Sequence, residues 1–227
     1  RFGAERKLDQ WKRPKAIFKK LRQLTRERDQ VVAERTVAKN QLHAELAEAE
    51  PGKSSVDRIK KKVAFFDKQE KEIMTELKVV MSADDEIKRQ VALICTIPGV
   101  GLLTAIIVLA ETNGFELIRN KRQLVSYAGM DVREKQSGTS VRGKPRISKK
   151  GNRYLRKAMH FPALSAIRHD EKYKAIFARL ISKHGIKMKA AVCVQRKMLE
   201  MIYTVFKKQE AYDRMYYQKA AGIQAVV

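Results

Sequence analysis

VALICTIPGVGLLTAIIVLA, residues 91–110, is the stretch whose reading decides the fold. It carries no charge over a length that would suit a bilayer. Its centre, Pro98-Gly99-Val100-Gly101, would break a helix where lipid offers no replacement hydrogen bonds. A membrane span is therefore not expected. The same residues read as apolar helix, tight turn and apolar helix, a helix-hairpin-helix over about 86–112. Gly99 and Gly101 permit the turn and let the backbone approach another surface closely. The second helix then offers its free N–H groups outward, a ready phosphate site; the alternative is a plain helical hairpin inside a core.

Upstream, two amphipathic patterns flank the breaker Pro51-Gly52. The first is Ile17, Leu21, Leu24, Arg28, Val31, Arg35, Ala38 and Leu42. The second, Val56, Ile59, Val63, Phe66, Glu70, Ile73, Leu77 and Val80, alternates strictly by three and four. That is a heptad seam with one polar intrusion, Glu70. Two such helices joined by a short turn form an antiparallel hairpin or pair with another chain. Their polar exteriors leave each only one narrow stripe to bury, which favours pairing between chains. Downstream, Ser82-Ala83-Asp84-Asp85-Glu86 reads as a helix start. Helices are expected at about 85–96, 102–112, 120–128, 150–168, 171–183 and 187–207, with Gly129 and Gly185 as C-terminal caps. No stretch shows sustained strand alternation.

The expected fold is all-α: a polar lead-in (1–15), a coiled-coil helical hairpin (16–82), a compact helical domain (83–207) and a tail (208–227). Lys and Arg total 49 against 25 Asp and Glu, a formal charge of +24 over 227 residues. Such a surface attracts polyanions and releases their counterions, so nucleic acid is the first candidate partner. Cys95 and Cys193 read as buried free thiols, and neither they nor the four scattered histidines have metal-ligand spacing. The opening RFGAERKLDQW holds no apolar core of a signal peptide, so none is expected.

Asp131 to Lys150, DVREKQSGTSVRGKPRISKK, is almost devoid of apolar residues. Its cations include Arg142, Lys144, Arg146, Lys149 and Lys150, and Gly138, Gly143 and Pro145 keep it irregular. The loop from Asp131 to Ile147 should be mobile until phosphates neutralise it, because it cannot offset its own ordering entropy. A helix follows in which Arg153, Arg156 and Lys157 share a face. Ser137 stands in a Gln-Ser-Gly turn ahead of this row of cations. Serine is a weak nucleophile, and cations that bind a scissile phosphate would offset the charge developing on its oxygens. On the residues alone Ser126, Ser140 and Ser148 are equal candidates.

Read together, Ile97-Pro98-Gly99-Val100-Gly101, Arg122-Gln123-Leu124, Tyr127-Ala128-Gly129, Ser137-Gly138, Arg142-Gly143, Ile147-Ser148-Lys149-Lys150-Gly151-Asn152, Leu155-Arg156 and Lys197-Met198-Leu199 resemble one family. It is the DEDD-type, RNA-guided insertion-sequence transposases, relatives of the pilin-gene invertases. The resemblance covers residues 90–205 in order and spacing, and 1–82 more loosely. It implies that Ser137 attacks a DNA phosphodiester and holds the strand as a phosphoserine. It further implies a guide RNA, homo-oligomers joined through the coiled coil, and a bacterial or archaeal, nucleoid-associated cytoplasmic protein. Phosphate contacts are expected from Arg142, Lys144, Arg146, Lys149, Lys150, Arg153 and Arg156, with Gly99 and Gly101 shaping a backbone phosphate site. The family's RuvC-like half, whose acidic residues bind Mg2+, is expected to be missing here, so no metal or cofactor is assigned to this chain. The rival reading is a truncated, non-catalytic DNA- or RNA-binding remnant.

Whichever reading holds, nucleic-acid affinity should fall steeply with salt. If about six phosphates are neutralised, the log–log slope should be roughly −5 or steeper. A nearly flat salt titration, measured by fluorescence anisotropy, would remove the charge argument.

Overall fold

Both N-terminal stripes turn toward each other within one chain. The computed structural model describes residues 14–116, 118–134, 136–137, 141–143 and 146–215, with only the backbone at 136, 137, 141 and 142. Helix α1 spans Ala16–Leu46 and α2 spans Lys53–Ser82, antiparallel across the Pro51-Gly52 turn. Every position of the two stripes is buried or half-buried. The polar intrusions match one another: Glu70 of α2 receives both Arg28 and Arg35 of α1, and Arg35 also reaches Asp67 at 2.8 Å. These charges set the register, because a slip of one turn would leave a half-buried carboxylate without its cations. Of the two pairings open from the sequence, the structure shows the one within the chain.

The remaining helices form an all-α domain around a core shared with the hairpin. They are α3 (Asp85–Cys95), α4 (Leu102–Thr112), α5 (Lys121–Tyr127), α6 (Arg153–Ala158), α7 (His160–His169), α8 (Glu171–His184) and α9 (Lys187–Lys208). Leu21 and Leu77 of the hairpin, Ile94 of α3, Leu109 of α4, Leu124 of α5, Leu155 of α6 and Met198 of α9 are fully buried in one continuous cluster. The helices start where side chains cap them. Asp84 Oδ1 accepts from Ile87 N at 3.1 Å, and Asn120 Oδ1 accepts from Gln123 N at 2.8 Å. Gly185 ends α8 with φ +67°, and Gly129 follows α5 with φ +66°.

Three details depart from the sequence reading. The helix expected over 150–168 is two helices, α6 and α7, meeting at Met159. Pro162 explains the break: it has no N–H to donate to the carbonyl four residues back, and its ring crowds that carbonyl. Cys95 and Cys193 are free but half-buried rather than buried, and burial raises the Cys95 thiol pKa. The segment expected to be irregular carries two short antiparallel ladders, β1 (Val132–Arg133) with β4 (Arg146–Ile147) and β2 (Gln136–Ser137) with β3 (Val141–Arg142). Among the described residues, no helix is long and apolar enough to cross a membrane. The expected lead-in and tail fall largely outside the described residues.

Glu70 should be worth more than its neighbours on α2. Glu70→Ala leaves half-buried Arg28 without its carboxylate and Arg35 with Asp67 alone, and should lower unfolding stability by about 1–3 kcal/mol. Glu76→Ala removes a pair with Lys20 that is about half exposed, and should cost less than about 1 kcal/mol. Urea denaturation of both variants checks the contrast; equal losses would refute it.

Candidate nucleic-acid interface

The basic segment leaves the core after α5 and returns at α6, and its two ends are tied together by backbone. Lys149 N donates to Gly129 O at 3.0 Å, Ser148 N to Asp131 O at 2.8 Å and Asn152 N to Tyr127 O at 2.7 Å. Ser148 Oγ adds a 2.6 Å bond to Asp131 Oδ1. The approach of Gly129 to Gly151 explains both glycines. A Cβ on Gly151 would lie 2.2 Å from Tyr127 O and 2.4 Å from Gly129 N. Above this base the ladders begin, with Val132 opposite Ile147 and Arg133 opposite Arg146.

Two exposed arginines directly across a ladder repel each other, and an anion between them would relieve that repulsion. Ser137 lies in β2 opposite Val141, and Gln136 lies opposite Arg142, so the register brings Ser137 and Arg142 within one step of each other. Lys144, Gly138, Ser140 and Pro145 lie outside the described residues. Arg146, Lys149, Lys150 and Arg153 are exposed around the base. Arg153 rests its guanidinium 4.9 Å from the Tyr154 ring centroid.

Arg156 has a different position. It is half-buried, and its Nη1 donates to Ala128 O at 2.8 Å and to Gly151 O at 3.0 Å. That nitrogen clamps the two ends of the loop. Gly99 and Gly101 are not brought to the loop. Gly101 caps the far end of α4, which is about 15 Å long at 1.5 Å per residue. Gly99, with φ +83°, lies against α7, where a Cβ would meet Pro162 O at 2.5 Å. Its missing side chain lets the turn pack on α7. Gly101 is exposed with open space around it, and no side chain caps the first turn of α4.

Sequence reasoning missed a cluster beneath the loop. Glu111, the second-last residue of α4, has a carboxylate only 1% exposed. Arg26 of α1 grips it with two bonds of 2.8 Å each, and Asn152 Nδ2 donates to it at 2.7 Å. The bond to Glu111 raises the Arg26 guanidinium further above its ordinary pKa. Asn152 Oδ1 meanwhile caps α6 through Tyr154 N and Leu155 N. The available signal was an acid placed directly after a charge-free run of twenty residues, 91–110. Among the described residues no group of His, Cys, Asp and Glu could hold a metal ion. The acids at 84–86 serve the helix start, with Asp84 as cap and Glu86 bound to Lys15 at 3.0 Å.

With this geometry in hand, comparison with known proteins is decisive for residues 91–178, which match the family described as Transposase IS116/IS110/IS902. This segment, less than half of the chain, is similar to the transposase domain of that family. Among curated proteins, the chain is 26% identical over 136 residues to the pilin gene-inverting protein of Moraxella bovis, covering 60% of this chain and 42% of that protein. It is 32% identical over 143 residues to the transposase for insertion sequence element IS1111A of Coxiella burnetii, covering 60% of this chain and 37% of that protein. A Streptomyces coelicolor protein of insertion element IS110 is 25% identical over 118 residues, covering 52% of this chain and 29% of its own length. The matches to the first two thus span about two fifths of those relatives.

The transposase domain's loop base has little room for side chains. Gly151→Ala forces a methyl into backbone atoms and should destabilise by about 1–3 kcal/mol or more. Gly101→Ala meets open space and should shift stability by no more than about 1 kcal/mol. Thermal unfolding of the two variants tests the assignment; a neutral Gly151→Ala would contradict it.

Proposed function

We propose that the chain is the C-terminal part of a DNA transposase in which Ser137 attacks a DNA phosphodiester. The observation that carries this reading is the cation-lined loop of an insertion-sequence transposase domain, with Ser137 one register step from Arg142. The Ser137 oxygen forms a bond to phosphorus as one P–O bond to deoxyribose breaks, the leaving oxygen takes that bond's electron pair and the proton given up by Ser137 to become a free deoxyribose hydroxyl, and the strand is held as a phosphoserine ester. Attack by the released or a new hydroxyl on that ester restores the phosphodiester and frees Ser137. Arg142, Arg146, Lys149, Lys150 and Arg153 bind the phosphates on either side and offset the negative charge that builds on the equatorial oxygens. Phosphate contacts of this kind set orientation and register, not sequence.

Sequence choice therefore comes from elsewhere, and a guide RNA is the partner the resemblance supplies. The exterior of the long hairpin is the surface through which chains associate. The Mg2+ of the resembled family does not fit the described residues, so it belongs to a RuvC-like half and no step above uses it.

Ser137→Ala should leave nucleic-acid affinity within about twofold, since it leaves every cation of the loop in place. With a RuvC-like domain supplied in trans, it should abolish covalent protein–DNA adducts on denaturing gels. An adduct that survives Ser137→Ala but disappears in Ser148→Ala or Ser140→Ala would assign the nucleophile elsewhere.

A further inference from the structure

We infer that Glu111 is a positioning residue that couples the long hairpin to the loop bearing Ser137. This rests on the reading of Ser137 as nucleophile and concerns how its loop is held. Among the described residues, the Glu111 carboxylate bonds to Arg26 and Asn152. It acts through Asn152, the residue at which the loop re-enters the core.

The geometry leaves Asn152 one way to sit. Its Oδ1 is occupied by Tyr154 N at 2.9 Å and Leu155 N at 3.2 Å, so only its amide nitrogen is free to reach another group. That nitrogen donates to Glu111 Oε2 at 2.7 Å. The Asn152 backbone N–H donates to Tyr127 O at 2.7 Å, and Tyr127 Oη donates back to Glu111 O at 3.0 Å. Glu111, Asn152 and Tyr127 thus form a closed ring joining the end of α4, the end of α5 and the start of α6. The loop's entry and exit both lie on this ring.

Arg26 makes the ring depend on the hairpin. A carboxylate with 1% exposure has lost its hydration, and the bidentate pair with Arg26 offsets that loss from α1. Arg26 is in turn placed by Tyr154, whose ring centroid lies 4.5 Å from its Cζ, and Tyr154 is two residues from Arg156, the second clamp of the loop base. Next to it on α1, Arg22 Nε donates to Ala110 O at 3.0 Å, so the hairpin is seated on the same turn of α4. If α1 moves away, the Glu111 carboxylate loses the Arg26 guanidinium that holds both of its oxygens in place. A carboxylate free to turn no longer presents Oε2 to Asn152, and the exit of the loop loosens. Any partner that repositions the hairpin, a second copy of this chain or a nucleic acid lying along it, would then act on the loop through one carboxylate.

The test uses Glu111→Gln, which keeps the volume and removes the charge, and Arg26→Lys, which keeps the charge and removes the two-point grip. Each is compared with the unaltered chain and with Ser137→Ala, the RuvC-like domain being added in trans to DNA carrying the element's ends. Three quantities are read: the single-turnover rate of adduct formation, the dissociation constant for the same DNA, and amide exchange at Lys149 and Asn152. We expect the adduct rate to fall by roughly 10-fold or more in Glu111→Gln, since misplacing a reacting group by an ångström costs that much. DNA affinity should stay within about twofold, and both amides should exchange faster. Arg26→Lys should give an intermediate rate. Unchanged adduct rate and exchange in both variants, with Ser137→Ala inactive, would overturn the coupling and leave the nucleophile in place. So would losses of rate and affinity in equal proportion, which is what a merely less folded protein gives. If Ser137→Ala still forms the adduct, the nucleophile reading fails, and the exchange data alone decide whether Glu111 holds the loop. Should Glu111→Gln not fold, Arg26→Lys, at a partly exposed position, carries the same test.

Discussion

A buried carboxylate needs a cation, and in this chain that requirement determines how helices dock. The sequence holds about two basic residues for each acidic one, so acids are the scarce partner. Buried Glu111 takes one arginine from α1, and half-buried Glu70 takes two. Glu70 sets the register of α1 against α2. Glu111 sets α1 against α4. Apolar burial supplies most of the gross stabilisation, but it is non-directional, and a stripe of Leu and Val tolerates sliding by a turn. The charge pairs do not tolerate it. The long hairpin is thereby seated on the helical domain in one place.

The same scarcity shapes the surface. Glu70, Glu111, Asp84 and Asp170 are engaged inside or at helix starts, and the acids that remain are outnumbered by lysines and arginines about two to one. Around the loop base the excess is concentrated, and Arg133 and Arg146 face each other across a ladder with no acid between them in register. Within the protein this arrangement costs energy. It becomes favourable when a phosphate supplies the missing charge and the counterions are released. In the proposed function the loop is therefore stable at its foot and electrostatically incomplete above it.

Much of the architecture was legible because helices leave a local record. The three-four alternation from Val56 to Val80 placed α2, and all eight of its positions turn inward. Asp84, Asn120 and Gly185 marked ends through capping chemistry that acts over three or four residues. The break before α7 was hidden because Pro162 sits in the first turn of a helix, a position that reads as ordinary from sequence. Two-residue ladders such as Val132–Arg133 hold too few residues to show alternation. The Glu111 cluster was illegible for another reason. Its partners lie 85 and 41 residues away, and no periodicity links them. Ser137 was singled out by resemblance, since its neighbours alone did not separate it from Ser148. The structure gives Ser148 a local role instead, closing the loop base on Asp131.

That division between foot and tip bears on why a nucleophile would be placed on such a loop. A serine on a rigid helix would be held accurately but could not follow a strand that must be exchanged. A serine on a free loop could follow the strand, but would lose the geometry that makes attack fast. Here backbone bonds at Lys149 and Asn152, the Arg156 clamp and the Glu111 ring fix both feet, while the tip is made of short ladders whose cations prefer a phosphate to one another. In the proposed function, phosphates neutralise the cations above the foot, and the fold holds the foot itself. The apolar run from Val91 to Ala110 underlies this: it builds the α3–α4 core that brings Glu111, the first charge after it, to the point where the loop returns.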